Sequence, residues 1–404
     1  MIKVENAQNI ILENIETLEA EKVDLLKALS KVLAEDIHSD INIPPFDNSA
    51  MDGFALKSSD TKGASQQNPI ILKIIENLPA GKTPKNTIHK GEATRIMTGA
   101  PMPLGGDGVI MVEYTESTNN EVKIYKAVSS GKNIRLAGED VKKKELVLKK
   151  GSLITPAKIG MLASVGKEMV KVIRTPKIAI LTTGDELVEL GEKVTPGKIR
   201  NSNTYTLISQ ITKLGAIPVN IGIACDNIEE IRNKIRSGIQ YDMLITSGGI
   251  SVGDYDLIQD ILKEAGLNLK FWKVRVKPGK PILFGLLNNK PVFSLPGYPV
   301  SSMIAFELFV RPAILKMLGR KDIFRKTILA TLTNSIDKKT DRRQCLMGIL
   351  KEVKGGYEVS STLPQEAGML KSMTLANCLI LAPQECAHIH HGTLVKVILL
   401  NDKE

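Results

Sequence analysis

Met243-Leu244-Ile245-Thr246-Ser247-Gly248-Gly249 is a short apolar run that ends on two hydroxyls and two glycines. Downstream, Leu257, Ile258, Ile261 and Leu262 recur at helical spacing, so the segment reads as buried strand, glycine loop, amphipathic helix. The same grammar extends in both directions. Ile178–Thr182, Pro218–Ile223 and Val292–Leu295 are further short apolar strands. Leu207, Ile208, Ile211 and Leu214 form one intervening helix face, and Ile228, Ile231, Ile235 and Ile239 form another. Asp226-x-x-Glu229 is read as a capping-box-like start to the second of these helices. Strands alternating with helices at this spacing predict a doubly wound parallel α/β sheet over residues 171–320.

Outside this segment the texture changes. Ile10, Ile11, Ile15 and Leu18, then Val23, Leu26, Leu29 and Leu33, predict two helices that end before Ile43-Pro44-Pro45. Residues 46–138 carry short β-rich runs (Ile70–Ile75, Val109–Val112, Val122–Tyr125) between turn residues. A helix is expected from Thr155-Pro156 to about 168. From about 321 the chain returns to short strands, ending in Thr393–Leu400. The 404 residues are long enough for several domains.

Composition narrows the function. Aromatics make up only 4% of the chain, which disfavours base stacking as its main business. Of the net charge of +10, most sits in residues 171–320, with 20 Lys/Arg against 13 Asp/Glu and no long basic tract. That pattern fits a small anionic ligand at least as well as nucleic acid. No apolar run approaches the roughly 18–20 residues needed to span a bilayer, and no signal peptide is legible; a cytoplasmic protein is expected. Cys225, Cys345, Cys378 and Cys386 show no C-x-x-C spacing and read as buried free thiols, and His388, His390 and His391 read as an exposed strand end.

Ligands of an open parallel sheet bind where loops leave the carboxyl ends of the strands. Four loops qualify: Thr183-Gly184-Asp185-Glu186, Ser247-Gly248-Gly249, Lys277-Pro278-Gly279-Lys280-Pro281 and Pro296-Gly297-Tyr298-Pro299-Val300-Ser301. Glycines there let backbone N–H groups approach an anion closely. Asp185, Glu186, Asp226, Asp254 and Asp256 supply carboxylates suited to Mg²⁺ beside phosphate. Lys273, Lys277 and Lys280 supply the charge that holds an oxyanion. Neither G-x-G-x-x-G nor a complete P-loop is present: Gly81-Lys82-Thr83 has the ending, but Glu76 stands where the leading glycine belongs.

The ordered segments PPFDNSAMDG, TGAPMP, ILTTGDEL, GKIRNSN, TSGGISVGDYD, KVRVKPGKP and LPGYPVSS resemble the MoeA family of molybdenum cofactor biosynthesis over essentially the whole chain, and are similar to the E domain of gephyrin. The resemblance implies a molybdopterin molybdenumtransferase. Such an enzyme takes molybdate and adenylylated molybdopterin and releases AMP with the help of Mg²⁺. It also implies four domains: a split domain I (1–43 and 139–170), a β-insertion as domain II (44–138), an α/β molybdopterin-binding domain III (171–320) and a C-terminal β-barrel-like domain IV (321–404). A homodimer would carry its clefts between domain III of one subunit and domain II of the other. The molybdopterin adenylyltransferase would be a further partner, with no nucleic acid or membrane involved.

Carried over by motif, Asp52 and Thr98 face the cleft from domain II. By the same resemblance Glu186, Lys273 and Lys277 would join them as catalytic groups, and Asp226, Asp256 and Glu186 would hold the metal. Thr183, Gly184, Asp185, Ser247, Gly248, Gly249, Lys280, Pro296, Gly297, Pro299 and Ser301 bind substrate. Either Asp254 or Asp256 can serve as the ligand in its loop, and spacing favours Asp256. Tyr298 departs from the family, which usually has Asn between Gly and Pro in this turn. Two other readings keep the same fold: the preceding adenylyltransferase step, and a scaffold that binds without turnover. Tungstate is an equal fit to molybdate by size and charge.

Overall fold

The computed structural model describes residues 1–250, 257–337, 342–362, 365–382 and 387–400. The chain divides into two units. One comprises Met1–Val23, Ser30–Ala34 and the residues from Lys171 onward; the other comprises Asp24–Leu29 and Glu35–Val170.

The first unit begins with helix α1 (Val4–Glu13) and is built around a six-stranded sheet. Its strands are β1 (Lys177–Thr183), β2 (Ile217–Ala224), β3 (Met243–Ser247), β4 (Asn268–Trp272), β5 (Leu283–Leu287) and β6 (Lys290–Leu295), in the order β2-β1-β3-β6-β5-β4. The helices are α2 (Asn203–Lys213), α3 (Ile228–Gly238), α4 (Leu257–Glu264) and α5 (Pro299–Ala305). Alternation along β1 builds the two layers. Ile178 and Ile180 join a core with α1, α2 and α5 on one face, while Ala179 and Leu181 join α3 and α4 on the other. The four expected strands are present and mutually parallel. The sheet is nevertheless mixed, because two strands beyond the expected four join it: β5 pairs antiparallel with β6, and β4 pairs antiparallel with β5. Lys290 follows β5 after only Asn288-Asn289, both at positive φ, and such a two-residue turn reverses the chain into an antiparallel neighbour.

In the same unit, strands Thr327–Leu332, Arg343–Val353, Gly356–Ser361, Cys378–Ala382 and Leu394–Leu399 close into a five-stranded barrel through the pairing of Arg343–Val353 with Cys378–Ala382. Cys345 and Cys378 are buried there, and burial pushes both thiols up to about 12, so they stay protonated. Cys225 is exposed, contrary to the sequence expectation, because it lies just past the end of β2; Cys386 lies outside the described residues. His388 and His390 are exposed around the short strand His388–Ile389.

The second unit holds a mixed sheet ordered Gly108–Met111, Gly53–Leu56, Glu92–Ile96, Ile70–Leu78, Glu121–Ile124, Thr115–Ser117, and the helix Pro156–Ser164. The second N-terminal helix is absent. Ala20–Asp24 is a strand, Leu25–Ala28 a single 3₁₀ turn, and Ser30 adopts φ 64, which a right-handed helix cannot contain. Leu26 and Leu29, placed on the predicted buried face, are exposed.

Arg174 anchors the amino-terminal edge of β1 and β3. Its guanidinium donates to both oxygens of Asp242 at 2.7 and 2.6 Å and also reaches Glu19, while Lys177 N–H donates to Asp242 at 2.8 Å. Burial pushes the Asp242 carboxyl up, but these donors outweigh it and hold the group below its ordinary range. A depressed carboxylate stabilises the fold above its unfolded pKa of about 3.9, and that contribution disappears as pH falls through the lower folded value. Asp242→Asn is therefore expected to cost about 1–3 kcal/mol at pH 7. Urea unfolding at pH 7 and pH 3 should show the gap to the unsubstituted protein narrowing on the acid side.

Candidate active site

Strand register brings the loops together. Thr183 pairs with Ala224, Thr182 with Ser247, and Ser247 with Leu295, so the carboxyl ends of four parallel strands fall level. The loops that leave this edge enclose a cavity of about 640 Å³. Of the residues expected from sequence, Thr183, Gly184, Glu186, Asp226, Ser247, Gly248, Gly249, Pro296, Gly297 and Pro299 line it.

The glycines are needed where they stand. Gly248 has φ 98, and a Cβ there would sit 2.5 Å from the Thr183 carbonyl oxygen. A Cβ on Gly249, at φ 62, would lie 2.9 Å from Ile258 Cγ1 and 3.1 Å from Thr183 Oγ1. Side chains larger than hydrogen would push the loop off the edge of β1.

Asn203, at the start of α2, ties two loops to each other. Its buried amide nitrogen donates to Ser247 Oγ at 2.9 Å and to the Gly297 carbonyl at 2.8 Å. Its neighbour Asn201 is fixed by Thr204, donating to Thr204 Oγ1 at 2.9 Å and accepting from Thr204 N–H at 3.2 Å. Thr183 Oγ1 and Asn203 Oδ1 are buried with no partner among the described residues. Asn203→Ala removes both bridging bonds and leaves the Gly297 carbonyl without its donor. A loss of about 1–3 kcal/mol is expected in urea unfolding.

Three charged side chains meet at the cavity: Glu186, Asp226 and Arg200. Asp185 does not line it but fixes the neighbouring turn. Its Oδ1 accepts from Asp226 N–H at 3.0 Å, its own N–H points to Asp226 Oδ2 at 3.4 Å, and its carbonyl accepts from Lys198 Nζ. The cap of α3 is Asn227, not Asp226: Asn227 Oδ1 accepts from Glu229 and Glu230 N–H at 3.0 Å, so the Asp226 carboxylate does not cap that helix. Among the described residues, no cluster of three or more His, Cys, Asp and Glu side chains forms a metal nest. Two carboxylates on one cavity do match the needs of Mg²⁺, which binds through one or two carboxylates plus water and phosphate oxygens.

Other expected residues stand apart from the cavity. Lys273, Lys277 and Lys280 do not line it, although Pro281 does; the Lys273 ammonium lies 3.5 Å from the centroid of the Trp272 ring. Ser301 is buried within α5. Asp254 and Asp256 lie outside the described residues. In the other unit, Asp52 and Thr98 come together as expected: Thr98 N–H and Oγ1 both donate to Asp52 Oδ1 at 2.7 Å. These bonds, backbone first, hold the Asp52 carboxyl below its ordinary range. Arg200, Asn201 and Asn203 also line the cavity, beyond the residues expected from sequence. Their signal was the polar run Gly197-Lys198-Ile199-Arg200-Asn201-Ser202-Asn203 immediately before a helical face.

Comparison with known proteins agrees with this architecture. Residues 2–166 match the MoeA N-terminal region (domain I and II), 179–316 the probable molybdopterin binding domain, and 330–400 the MoeA C-terminal region (domain IV). A Mycobacterium tuberculosis protein named molybdopterin molybdenumtransferase 2 is 34% identical over 403 residues, spanning 98% of this chain and 99% of its own. A Staphylococcus aureus molybdopterin molybdenumtransferase is 36% identical over 406 residues, spanning 98% and 95%. The crystal structure of a molybdopterin biosynthesis MoeA protein from Pyrococcus horikoshii superposes with a TM-score of 0.86 at 33% identity, covering both chains fully.

Proposed function

Because the chain belongs to the MoeA family of molybdopterin molybdenumtransferases, enzymes of molybdenum cofactor biosynthesis, we propose that its 640 Å³ cavity holds adenylylated molybdopterin while molybdenum from molybdate joins the dithiolene and AMP leaves. The observation that carries this reading is the convergence of Gly248 and Gly249, Glu186, Asp226 and Arg200 at one level sheet edge.

Each of these groups has a physical task. The Gly248-Gly249 turn lets the backbone approach phosphate oxygens more closely than any side chain would permit. Arg200 offers a planar fork of N–H donors to the same oxygens. Glu186 and Asp226 are the oxygen donors that would hold Mg²⁺. When bound, Mg²⁺ offsets the charge that develops on the phosphates. Asn203 keeps the second and fourth loops at a fixed separation, which matters because misplacement of about 1 Å costs large factors in rate. Asp52, with its carboxyl kept ionised by Thr98, belongs to the proposed reaction as a group from the second unit. The proposal includes the four-domain division and a homodimer in which that unit faces the cavity of the partner copy. Lys277 and Lys280, set in a Pro/Gly frame, and Ser301 are proposed to hold molybdate, a dianion that suits such donors, with Lys273 as a further catalytic cation. The molybdopterin adenylyltransferase is the proposed donor of the substrate.

The test is AMP release from adenylylated molybdopterin by the purified protein, with and without molybdate and with Mg²⁺ present or chelated. Release that depends on both supports the proposal. Tight substrate binding without release overturns it in favour of a carrier on the same fold.

A further inference from the structure

Tyr298 occupies the turn between Gly297 and Pro299 at the entrance to α5, and it lines the cavity. It is the aromatic side chain of the described lining, yet its residue remains 67% exposed. Its backbone is held on both sides. The Tyr298 carbonyl accepts from Ser302 N–H at 2.9 Å, and Gly297 lies against the glycine loop, where an added Cβ would be 3.6 Å from Gly248 Cα. One edge of the ring faces Gly368, where an added Cβ would come within 3.7 Å of ring Cδ1. The phenol makes no hydrogen bond among the described residues. A large ring fixed at its base, packed by one edge against Gly368 and uncovered over most of its surface at the cavity lining, leaves a π face open to a ligand.

We propose that the Tyr298 ring stacks on a planar heteroaromatic ring of the bound substrate and thereby sets its orientation in the cavity. This inference rests on the proposed function, since it takes the ligand from that reading. Aromatic faces recognise such rings by offset stacking and area burial, without hydrogen-bond readout, and one such contact changes affinity by a factor of about 5 to 150. The adenylylated substrate offers two rings of this kind, the adenine and the pterin.

Titration calorimetry with AMP alone and, anaerobically, with metal-free molybdopterin distinguishes them. Tyr298→Phe should bind both probes as the unsubstituted protein does. Tyr298→Ala should lose about 5- to 150-fold for the probe whose ring stacks. Tyr298→Leu, which keeps apolar bulk without a π face, should also lose affinity. Loss with AMP assigns the adenine, and loss with molybdopterin assigns the pterin. Unchanged affinity of the Ala variant for both probes overturns the stack, as does a Leu variant that binds like the original. The two readings fail separately. Unimpaired AMP release together with an unaffected Ala variant removes the stack alone. Lost AMP affinity in that variant, in a protein that never releases AMP from the adenylylated substrate, removes the reaction and leaves the stack.

Discussion

Glu186→Gln and Asp226→Asn should each lower AMP release by about two to three orders of magnitude while leaving the fold intact. Both side chains line the cavity, and the amides keep the size and one acceptor oxygen of the carboxylates they replace. What they lose is negative charge where a hard cation and phosphates would meet, and electrostatic groups aimed at developing charge are worth about 2.7–4 kcal/mol each. The backbone of this turn has anchors that do not need that charge. The Asp226 backbone is held through its N–H by Asp185 Oδ1, and α3 is capped by Asn227. Circular dichroism and the Tm should therefore stay near those of the original protein while single-turnover rates collapse. Asp185→Asn is the matched control: it retains the acceptor for Asp226 N–H and should keep most of the rate. Full activity in both Gln and Asn variants would remove these carboxylates from the reaction.

Gly248→Ala should damage the molecule at a different level. The added methyl would meet a backbone oxygen at 2.5 Å, not the end of a pliable side chain, and φ 98 is already strained for any residue with a Cβ. Overpacking and backbone strain each cost about 1–3 kcal/mol, giving a combined loss of about 2–6 kcal/mol. At about 2–4 °C per kcal/mol the apparent Tm should fall by roughly 4–24 °C, and activity should fall with it as the loop leaves β1. Gly297→Ala supplies the contrast. Its added Cβ would make an ordinary 3.6 Å contact at an unstrained φ, so its thermal scan should lie close to that of the parent. Equal stability of both variants would refute the steric argument.

The fold was legible wherever burial and periodicity coincided. The four parallel strands are continuous apolar runs because helices cover both faces, and such runs are hard to mistake. Leu26 and Leu29 misled because their spacing is helical while their side chains face water; the deciding fact is the left-handed backbone of Ser30, which composition does not reveal. In the site, glycines and carboxylates stood out as residue types. Asn203 did not, because a buried asparagine bridging Ser247 and Gly297 is defined by partners 44 and 94 residues away. The α3 cap shows the opposite error: an acidic residue one position early took the role that Asn227 fills.

The connectivity of the first unit also dictates an order of events on the ribosome. Its chain leaves at Ala34 and returns at Lys171, where Ala34 N–H bonds the Lys171 carbonyl at 2.9 Å, so the second unit is translated while the first is still unfinished. The apolar face of α1 has its docking partners far downstream: Gln8 donates to the Leu308 carbonyl, 300 residues later. At about 5–20 residues per second, that partner arrives roughly 15–60 s after α1 has been made. Through that interval Val4, Ala7 and Ile11 have no complete core to enter, and the nascent polypeptide carries an uncovered apolar helix face. That exposure has a defined duration in this molecule, and it ends only when Leu308 emerges.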